Sequence, residues 1–269
     1  MIPLSPRNPA HISLNPHTME TLSNVTVRSV TVTTRNLAIT YSKWVHETKP
    51  SGLVALDSNL DNLTTVDSKG DIAQFDLSGI TRIRQTYREV RSHMGRNDVR
   101  IKGRILSKYG QREQERVSNI LHRTSKRIVK EAKRKNFGIV LEDLTSVRRN
   151  YRKGNGQSRT LRGRLNSWSL RELQRRIEYK ARWEGIEVIY VNPAGTSTTC
   201  SKCGHKMKPE ENRRLRCDAC GLNVDRDINA ARNILSRGMR FVPDAPAFEA
   251  MVAVPTPRTW ESAESMQVK

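Results

Sequence analysis

The chain has 269 residues, with 48 Lys and Arg against 27 Asp and Glu, so its formal net charge is +21. An excess of this size favours a polyanionic partner, and nucleic acid is the first candidate. The absence of any run of about 18 apolar residues excludes a membrane-spanning helix, and the basic residues do not gather beside an apolar anchor, which disfavours binding to an anionic membrane. All four cysteines belong to two CxxC pairs, which leaves none for disulfides and predicts a reducing intracellular compartment.

The N-terminal part predicts one small β unit. Residues 1–22, which are rich in Pro, Asn and His and lack the apolar core of a signal peptide, are predicted to be irregular. In residues 24–42, Val, Ile and Leu alternate with Thr and Arg, the pattern of a β-hairpin or part of a small barrel. Such a hairpin is too small to be stable alone.

From residue 53 onward the pattern predicts an α/β domain. Short continuous apolar runs suit buried strands, and apolar residues at helical spacing suit amphipathic helices. The predicted strands are 53–57, 62–66, 72–77, 137–144 and 186–191, and the predicted helices are 80–95, 112–135, 166–184 and 227–237. Gly103 and Gly110 are interpreted as part of a polar connection, and Gly238 as the end of the last helix. Three meandering strands followed by alternating helices and parallel strands are the order of an RNase H-like domain with a mixed sheet.

Three acidic residues stand where this fold would bring them together. Asp57 ends the first strand of the domain, Glu142 ends a later strand, and Asp227 opens the last helix. Carboxylates at the ends of buried strands are costly unless they are hydrated, paired or bound to a cation. Oxygen ligands with an incomplete shell suit Mg²⁺ or Mn²⁺, and two such ions can activate water and stabilise the leaving oxygen of a phosphodiester. The three acids are therefore candidate catalytic metal ligands.

Simpler interpretations of the acids remain open. Asp57 could start a turn, Glu142 could be solvated at a strand end, and Asp227 could cap a helix. Asp225 competes with Asp227 for the third position. We favour Asp227, because the start of a helix packed on the sheet can point toward the strand ends, and this leaves Asp225 as a cap or outer partner.

The two CxxC pairs predict a structural zinc site. Cys200 and Cys203 are separated from Cys217 and Cys220 by thirteen residues, and Gly follows each second cysteine. Two cysteines with two residues between them fit a tight turn, and two such turns complete a tetrahedral zinc site. His205 is therefore only a weak rival ligand. A closed shell of four thiolates can contribute on the order of 10 kcal/mol to folding a segment with little core. The alternative is a free-standing zinc ribbon that only binds nucleic acid.

Five motifs, taken as an ordered set, resemble the TnpB family, the OrfB-type proteins of insertion sequences. They are ALDSNLDNLTTV, IVLEDL, EYKARWEG, NPAGTSTTCSKCG and CDACGLNVDRDINAARNIL, and the resemblance spans residues 25–238. It implies a RuvC-like nuclease domain, related to compact type V CRISPR effectors, that acts as an RNA-guided DNA endonuclease. On this pattern Asp57, Glu142 and Asp227 match the Mg²⁺- or Mn²⁺-binding acids, and the four cysteines match the zinc ligands.

The resemblance also implies partners and a domain organisation. The expected partners are a guide RNA from the element's own end and target double-stranded DNA, in a cytoplasmic, nucleoid-associated location in a prokaryote; the oligomeric state stays open. Family members usually begin with a wedge barrel interrupted by a helical domain, so we expect a chain shortened at its N-terminus. The expected segments are irregular residues 1–22, a partial wedge barrel at 23–48, the first part of the nuclease domain at 49–194, an inserted zinc ribbon at 195–224, the last nuclease helix at 225–240, and a disordered, Pro-rich tail at 241–269.

Two basic clusters flank the candidate acids. An RNA–DNA duplex is held mainly through its phosphates, which calls for Arg and Lys on helix faces, and an aromatic ring can stack on a base. The candidate contacts are Arg82, Arg84, Arg88 and Arg91 on the first helix, and Arg148, Arg149, Tyr151 and Arg152 in the loop after Glu142.

Two other functions stay open. The first is a non-cleaving nucleic-acid-binding regulator or transposition accessory protein, which would use the zinc ribbon and the basic helices. The second is another RNase H-like enzyme, such as a Holliday-junction resolvase or an integrase, which would keep the acids but does not explain the placement of the cysteines.

Overall fold

The computed structural model of the chain is described in two compact units, Met1–His46 and Glu47–Lys269. The described residues are 2–3, 9–10, 12–33, 36–93, 99–145, 169–242 and 258–259, with the backbone alone described for 2–3, 9–10, 99–102 and 258–259. Within this part of the chain, no helix is both long enough and apolar enough to cross a bilayer.

The first unit contains the predicted β-hairpin. Its elements are β1 (Ile2–Pro3), β2 (Pro9–Ala10), helix α1 (Pro16–Leu22), β3 (Thr26–Val32) and β4 (Leu37–Ser42). Strands β3 and β4 pair antiparallel, and β1 pairs antiparallel with β2. Every residue of β3 is exposed. The assignment of this hairpin to a wedge barrel stays a prediction.

Helix α1 departs from the irregular structure predicted for residues 1–22. The side chain of Asn15 accepts a hydrogen bond from the backbone N–H of Thr18 at 2.8 Å, which is the contact of an N-cap. Pro16 follows in the first helical turn, where its fixed φ and missing N–H are tolerated. Cap and proline together explain a helix at this position.

The second unit is built on a mixed six-stranded sheet. The described strands of this unit, which belong to two sheets, are β5 (Gly52–Ser58), β6 (Asn62–Asp67), β7 (Ile72–Asp76), β8 (Phe137–Glu142), β9 (Val188–Val191), β10 (Lys208–Pro209), β11 (Arg214–Arg216), β12 (Asn223–Asp225) and β13 (Arg258–Thr259). The large sheet has the order β13-β7-β6-β5-β8-β9. Strands β5, β6 and β7 form an antiparallel meander, whereas β8 and β9 continue parallel to β5. The predicted α/β class with a mixed sheet is confirmed.

A small second sheet and a terminal pair complete the strand pairing. Strands β10, β11 and β12 form an antiparallel three-stranded sheet, which lies in the chain between β9 and the last described helix. In residues 241–269, which the sequence predicts to be disordered, Val242 is buried and β13 pairs parallel with β7.

In the described part of this unit, four helices cover the large sheet. They are α2 (Ser78–Ser92), α3 (Val99–Lys135), α4 (Leu170–Trp183) and α5 (Arg226–Met239). Helix α3 begins well before the predicted residue 112, so the polar connection predicted around Gly103 and Gly110 is wrong. A Cβ at either glycine would have no atom within 4 Å, so both lie on an open side of the helix. The cost of about 1 kcal/mol for a helical glycine is small for a helix of 37 residues.

The sheet has a packed core on each face. Because side chains alternate along a strand, Leu56 packs on the face covered by α2, α3 and α4, whereas Leu53 and Ala55 pack on the face covered by α5 and the small sheet. Helix α5 runs one residue past Gly238, which the sequence analysis took as its end. A Cβ at Gly238 would lie 2.4 Å from Cγ2 of Val140. The glycine is therefore needed for close packing of α5 on β8.

Candidate functional site

Asp57 and Glu142 lie side by side at the carboxyl ends of two parallel strands. The register of β5 and β8 pairs Ala55 with Val140, two residues before each acid. Ala55 and Val140 belong to the core on the α5 face, so the two-residue period of a strand directs both acids to that same face. Each acid is only 6% exposed.

Asp227 reaches this edge of the sheet from the first turn of α5. It is 3% exposed, and its carboxylate accepts a hydrogen bond from Nδ2 of Asn62, the first residue of β6, at 3.3 Å. The side chain of Asp225 accepts hydrogen bonds from the backbone N–H groups of Asp227 and Ile228 at 2.8 and 3.2 Å. Asp225 is therefore the N-cap of α5, as the sequence indicated.

The three carboxylates interact electrostatically. Burial, and next the charge of Asp227, raise the pKa of Asp57 to about 7, although the side chain of Asn59 donates to Asp57 at 2.8 Å. Burial, and next the charge of Asp57, raise the pKa of Glu142 to about 8. Buried carboxylates that repel one another form a donor set suited to a hard divalent cation. The residues present therefore fit Mg²⁺ or Mn²⁺.

A positive side chain from the turn between β10 and β11 contacts Asp227. Nη2 of Arg213 lies 2.6 and 2.9 Å from the two carboxylate oxygens of Asp227. Asn212 and Arg213 have φ of 55° and 61°, the left-handed region that ordinary residues seldom adopt, and the backbone N–H of Arg226 donates to the carbonyl of Arg213 at 2.9 Å. This contact could not be predicted from the sequence, because it depends on a turn conformation that no motif indicates.

The acids are close without forming a ready-made cluster of ligand atoms. Among the described residues, one group of three or more His, Cys, Asp or Glu has all its ligand atoms within 4.8 Å of one another, and that group is the four cysteines. An ion shared by all three acids would therefore require Arg213 to move off Asp227 and the carboxylates to draw together.

The four cysteines form a site suited to a metal such as zinc. Sγ of Cys200 lies 3.6 Å from Sγ of Cys220, and Sγ of Cys203 lies 3.4 Å from Sγ of Cys217. A zinc ion with four tetrahedral sulfurs at 2.3 Å separates the sulfurs by about 3.8 Å, so the spacing fits. The glycine after each second cysteine has positive φ and donates its N–H to the carbonyl of the first cysteine at 2.9 Å, which explains the repeated CxxCG pattern.

Two asparagines connect the cysteine site to α5. Asn229, which is fully buried, accepts from the backbone N–H of Ser201 at 3.0 Å and donates to the carbonyl of Thr199 at 2.8 Å. Asn233, one turn later, donates to the carbonyls of Thr196 and Thr199 at 2.8 and 2.7 Å. The hydroxyl of Thr196 lies 3.5 Å from the carboxylate of Glu142. Neither asparagine was among the predicted site residues, although two amides four positions apart on an apolar helix face are a recognisable signal.

The predicted arginine contacts have different surroundings. Arg91 forms an ion pair with Glu113 of α3, and Arg84 donates a hydrogen bond to the hydroxyl of Ser169. Arg82 and Arg88 are exposed on α2. The second predicted cluster, Arg148, Arg149, Tyr151 and Arg152, lies outside the described residues.

Fold and site define a class: an α/β protein with a mixed sheet, an acidic edge and a four-cysteine metal site inserted before the last described helix. A family model described as "Cas12f1-like, TNB domain" matches residues 171–234. The TnpB-like protein MJ0751 of Methanocaldococcus jannaschii is 32% identical over 80% of this chain and 79% of that protein. The chain belongs to the TnpB-like family.

More distant similarities extend to CRISPR-associated proteins. The CRISPR-associated endodeoxyribonuclease Cas12f1 of Sulfoacidibacillus thermotolerans is 38% identical over 42% of this chain and 25% of that protein. The fold is similar to that of a Cas12f1–sgRNA–target DNA complex determined by cryo-EM, with a TM-score of 0.54 and 20% identity over 74% of this chain and 57% of that chain. The chain thus spans a quarter of the Cas12f1 relative and little more than half of the solved protein.

Proposed function

We propose that this chain carries an RNase H-like, RuvC-like nuclease domain and acts as an RNA-guided DNA endonuclease that hydrolyses phosphodiester bonds with divalent metal. The observation that carries the proposal is the meeting of Asp57, Glu142 and Asp227, from two parallel strands and a distant helix, at one edge of the sheet. Relatives named as a TnpB-like protein and as an endodeoxyribonuclease support it.

In this proposal the acids are metal ligands and their neighbours orient them. The bound divalent ions would supply an activated water and stabilise the leaving oxygen. Asn59 holds the carboxylate of Asp57, and the hydroxyl of Thr196 lies beside that of Glu142. Asn62 and Arg213 hold Asp227. Burial of the acids lowers the effective dielectric around them, so the electrostatic interactions of the site are stronger than in bulk water.

The domain organisation is part of the same proposal. Residues 49–194 and 225–240 would form the nuclease domain, with residues 195–224 inserted as a zinc ribbon that holds Zn²⁺ through its four cysteines. Residues 23–48 would represent a wedge-barrel remnant. Guide RNA, target double-stranded DNA and a prokaryotic, nucleoid-associated location belong to the proposal as well.

The test is metal-dependent cleavage guided by bound RNA. Protein purified with RNA made from its own gene and downstream flank is incubated with a matching DNA duplex, with and without Mg²⁺. We expect Asp57→Asn and Glu142→Gln to abolish cleavage while RNA binding survives. Asp61→Asn, a change of an acid that lies outside the proposed ligand set, is the matched control. If the unmodified chain and both variants give identical cleavage patterns, the hydrolytic proposal is wrong.

One observation favours a second candidate, a non-cleaving nucleic-acid binder. The contact of Arg213 with both carboxylate oxygens of Asp227 satisfies one of the three acids without any metal. In a binder this pair would be a permanent structural contact. The same experiment decides between them, because a binder retains RNA and matching DNA and shows no Mg²⁺-dependent product.

A further inference from the structure

A cavity of about 690 Å³ lies between α2, α3 and α4, outside the acidic site. Its apolar wall includes Leu60, Leu77 and Leu170. Its polar wall is formed by one side of α2, including Arg84 and Arg88. A lining that combines leucines with arginines suits a ligand that is apolar at one end and anionic at the other.

The arginines that line this cavity have hydrogen-bond donors available for a ligand. Nε of Arg84 is buried and has no hydrogen-bond partner in the described structure, although Nη2 donates to Ser169. A buried donor without an acceptor is costly, and native proteins seldom retain one unless something fills its place. Arg88, one turn along α2, is exposed and has no ion pair with the described residues. Glu89 is the acid among the described lining residues, so the lining keeps a positive balance.

Residues that line or adjoin the cavity are linked to the edge of the sheet that carries the acids. Leu60 lies just beyond the end of β5, the strand that carries Asp57, and the backbone N–H of Leu77 donates to the carbonyl of Asp61 at 2.8 Å. On the other side, Nε2 of Gln174, one turn after Leu170, donates to the carbonyl of Glu142 at 2.9 Å. The acids face α5, whereas the cavity lies on the opposite face. A strand that crosses this edge could contact both.

We propose that this cavity binds one nucleotide of a single nucleic-acid strand, with its phosphate at Arg84 and Arg88 and its base against the leucine wall. The inference rests on the proposed function, because the nucleotide in the cavity would be a neighbour, on the same strand, of the nucleotide whose phosphate reaches the acids. Base and phosphate match the two walls, since a base has an apolar face and a phosphate accepts several hydrogen bonds from arginine. The cavity would hold the strand in register for cutting.

The test measures strand binding without chemistry. RNA-free protein carrying Asp57→Asn is titrated, in buffer without added Mg²⁺ or chelator, with fluorescein-labelled oligonucleotides of twelve thymidines, of twelve uridines, and of an abasic analogue; anisotropy reports the dissociation constant. Arg88→Gln is compared with Arg123→Gln, a change of an exposed arginine of α3 that does not line the cavity and is not among the predicted nucleic-acid contacts. The thymidine and uridine strands show whether DNA or RNA is preferred.

We expect Arg88→Gln to weaken binding of the preferred strand about tenfold and to lower its salt slope by about one, as the loss of a phosphate contact does. Arg123→Gln should change affinity less than about twofold. The abasic strand should bind about tenfold more weakly than its parent strand, and Leu60→Asn, which removes apolar wall without changing charge, should cut that penalty to about threefold or less.

Three results would overturn the assignment: equal effects of Arg88→Gln and Arg123→Gln, equal binding of the abasic strand, or an abasic penalty that Leu60→Asn leaves unchanged. These failures are separable from failure of the proposed function. A chain that cuts DNA with Mg²⁺ but is indifferent to Arg88→Gln refutes the pocket alone. A chain whose binding follows the expected pattern, but which never cuts, refutes the hydrolytic proposal alone.

Discussion

Replacement of Gly238 by Ala should loosen the helix that carries Asp227. The added Cβ would lie 2.4 and 2.8 Å from the two Cγ atoms of Val140, a fully buried residue of β8, whereas carbon atoms pack best at about 3.5–4.0 Å. Overpacking of a core costs about 1–3 kcal/mol, and a contact this short belongs at the upper end. The better helix propensity of Ala returns up to about 1 kcal/mol. We therefore expect a net loss of about 2 kcal/mol in the free energy of unfolding.

The assay is urea denaturation of the zinc-loaded chain, with Gly110→Ala as the matched control. Gly110 is also helical, but a Cβ there meets nothing within 4 Å, so the control should gain up to about 1 kcal/mol. The double variant with Val140→Ala should show a favourable coupling energy, because the smaller side chain removes the clash. Equal unfolding midpoints for Gly238→Ala and Gly110→Ala would refute the packing argument.

Three further predictions concern the charges and metals of the site. First, with zinc bound but no other divalent ion, the free energy of unfolding should fall as pH rises from about 4 to about 8. The reason is that Asp57 and Glu142 lose their protons at lower pH in the unfolded chain than in the folded chain. The free energy of unfolding should fall by at most about 1.4 kcal/mol per pH unit for each proton. Urea midpoints across this range check it, and an Asp57→Asn variant with an unchanged slope would contradict it. Second, Cys217→Ser should lower both the unfolding midpoint and the affinity for Mn²⁺ measured by electron paramagnetic resonance, since the cysteine segment is hydrogen-bonded to α5. Unchanged Mn²⁺ affinity would show that the cysteine site and the acidic site are independent. Third, Arg213→Gln should tighten Mn²⁺ binding at least tenfold, because a charged hydrogen bond of about 1.5–3 kcal/mol no longer competes at Asp227; calorimetry showing weaker binding would mean that Arg213 supports the ion.

The sheet and the places of its acids were predictable because their signals are local. A run such as residues 137–142 is apolar throughout and ends in an acid, and a buried parallel strand needs little more. Asp225 could be separated from Asp227 because an N-cap has a definite position before a helix. The four cysteines were predictable for the same reason, since their spacing alone defines two tight turns.

Other features depend on contacts that the sequence does not reveal. The pairing of Arg91 with Glu113 arises only when α2 packs on α3, so the sequence could not indicate that Arg91 has an ion-pair partner. Gly103 and Gly110 were interpreted as breaks because glycine is a poor helix former, but α3 continues through them. The contact of Arg213 with Asp227 needs two left-handed residues in succession, which is a property of the folded turn.

The late position of α5 in the chain has a consequence during translation. Asp227 and its hydrogen-bond partner Asn62 are 165 positions apart, and ribosomes add about 5–20 residues per second. Asp227 follows Glu142 by 85 residues, so a nascent chain carries two of the three carboxylates for about 4–17 s before the third is synthesised. Under the proposed function, prematurely terminated products would be harmless to the genome of their host, because hydrolysis becomes attainable only after the cysteine segment has been synthesised and closed.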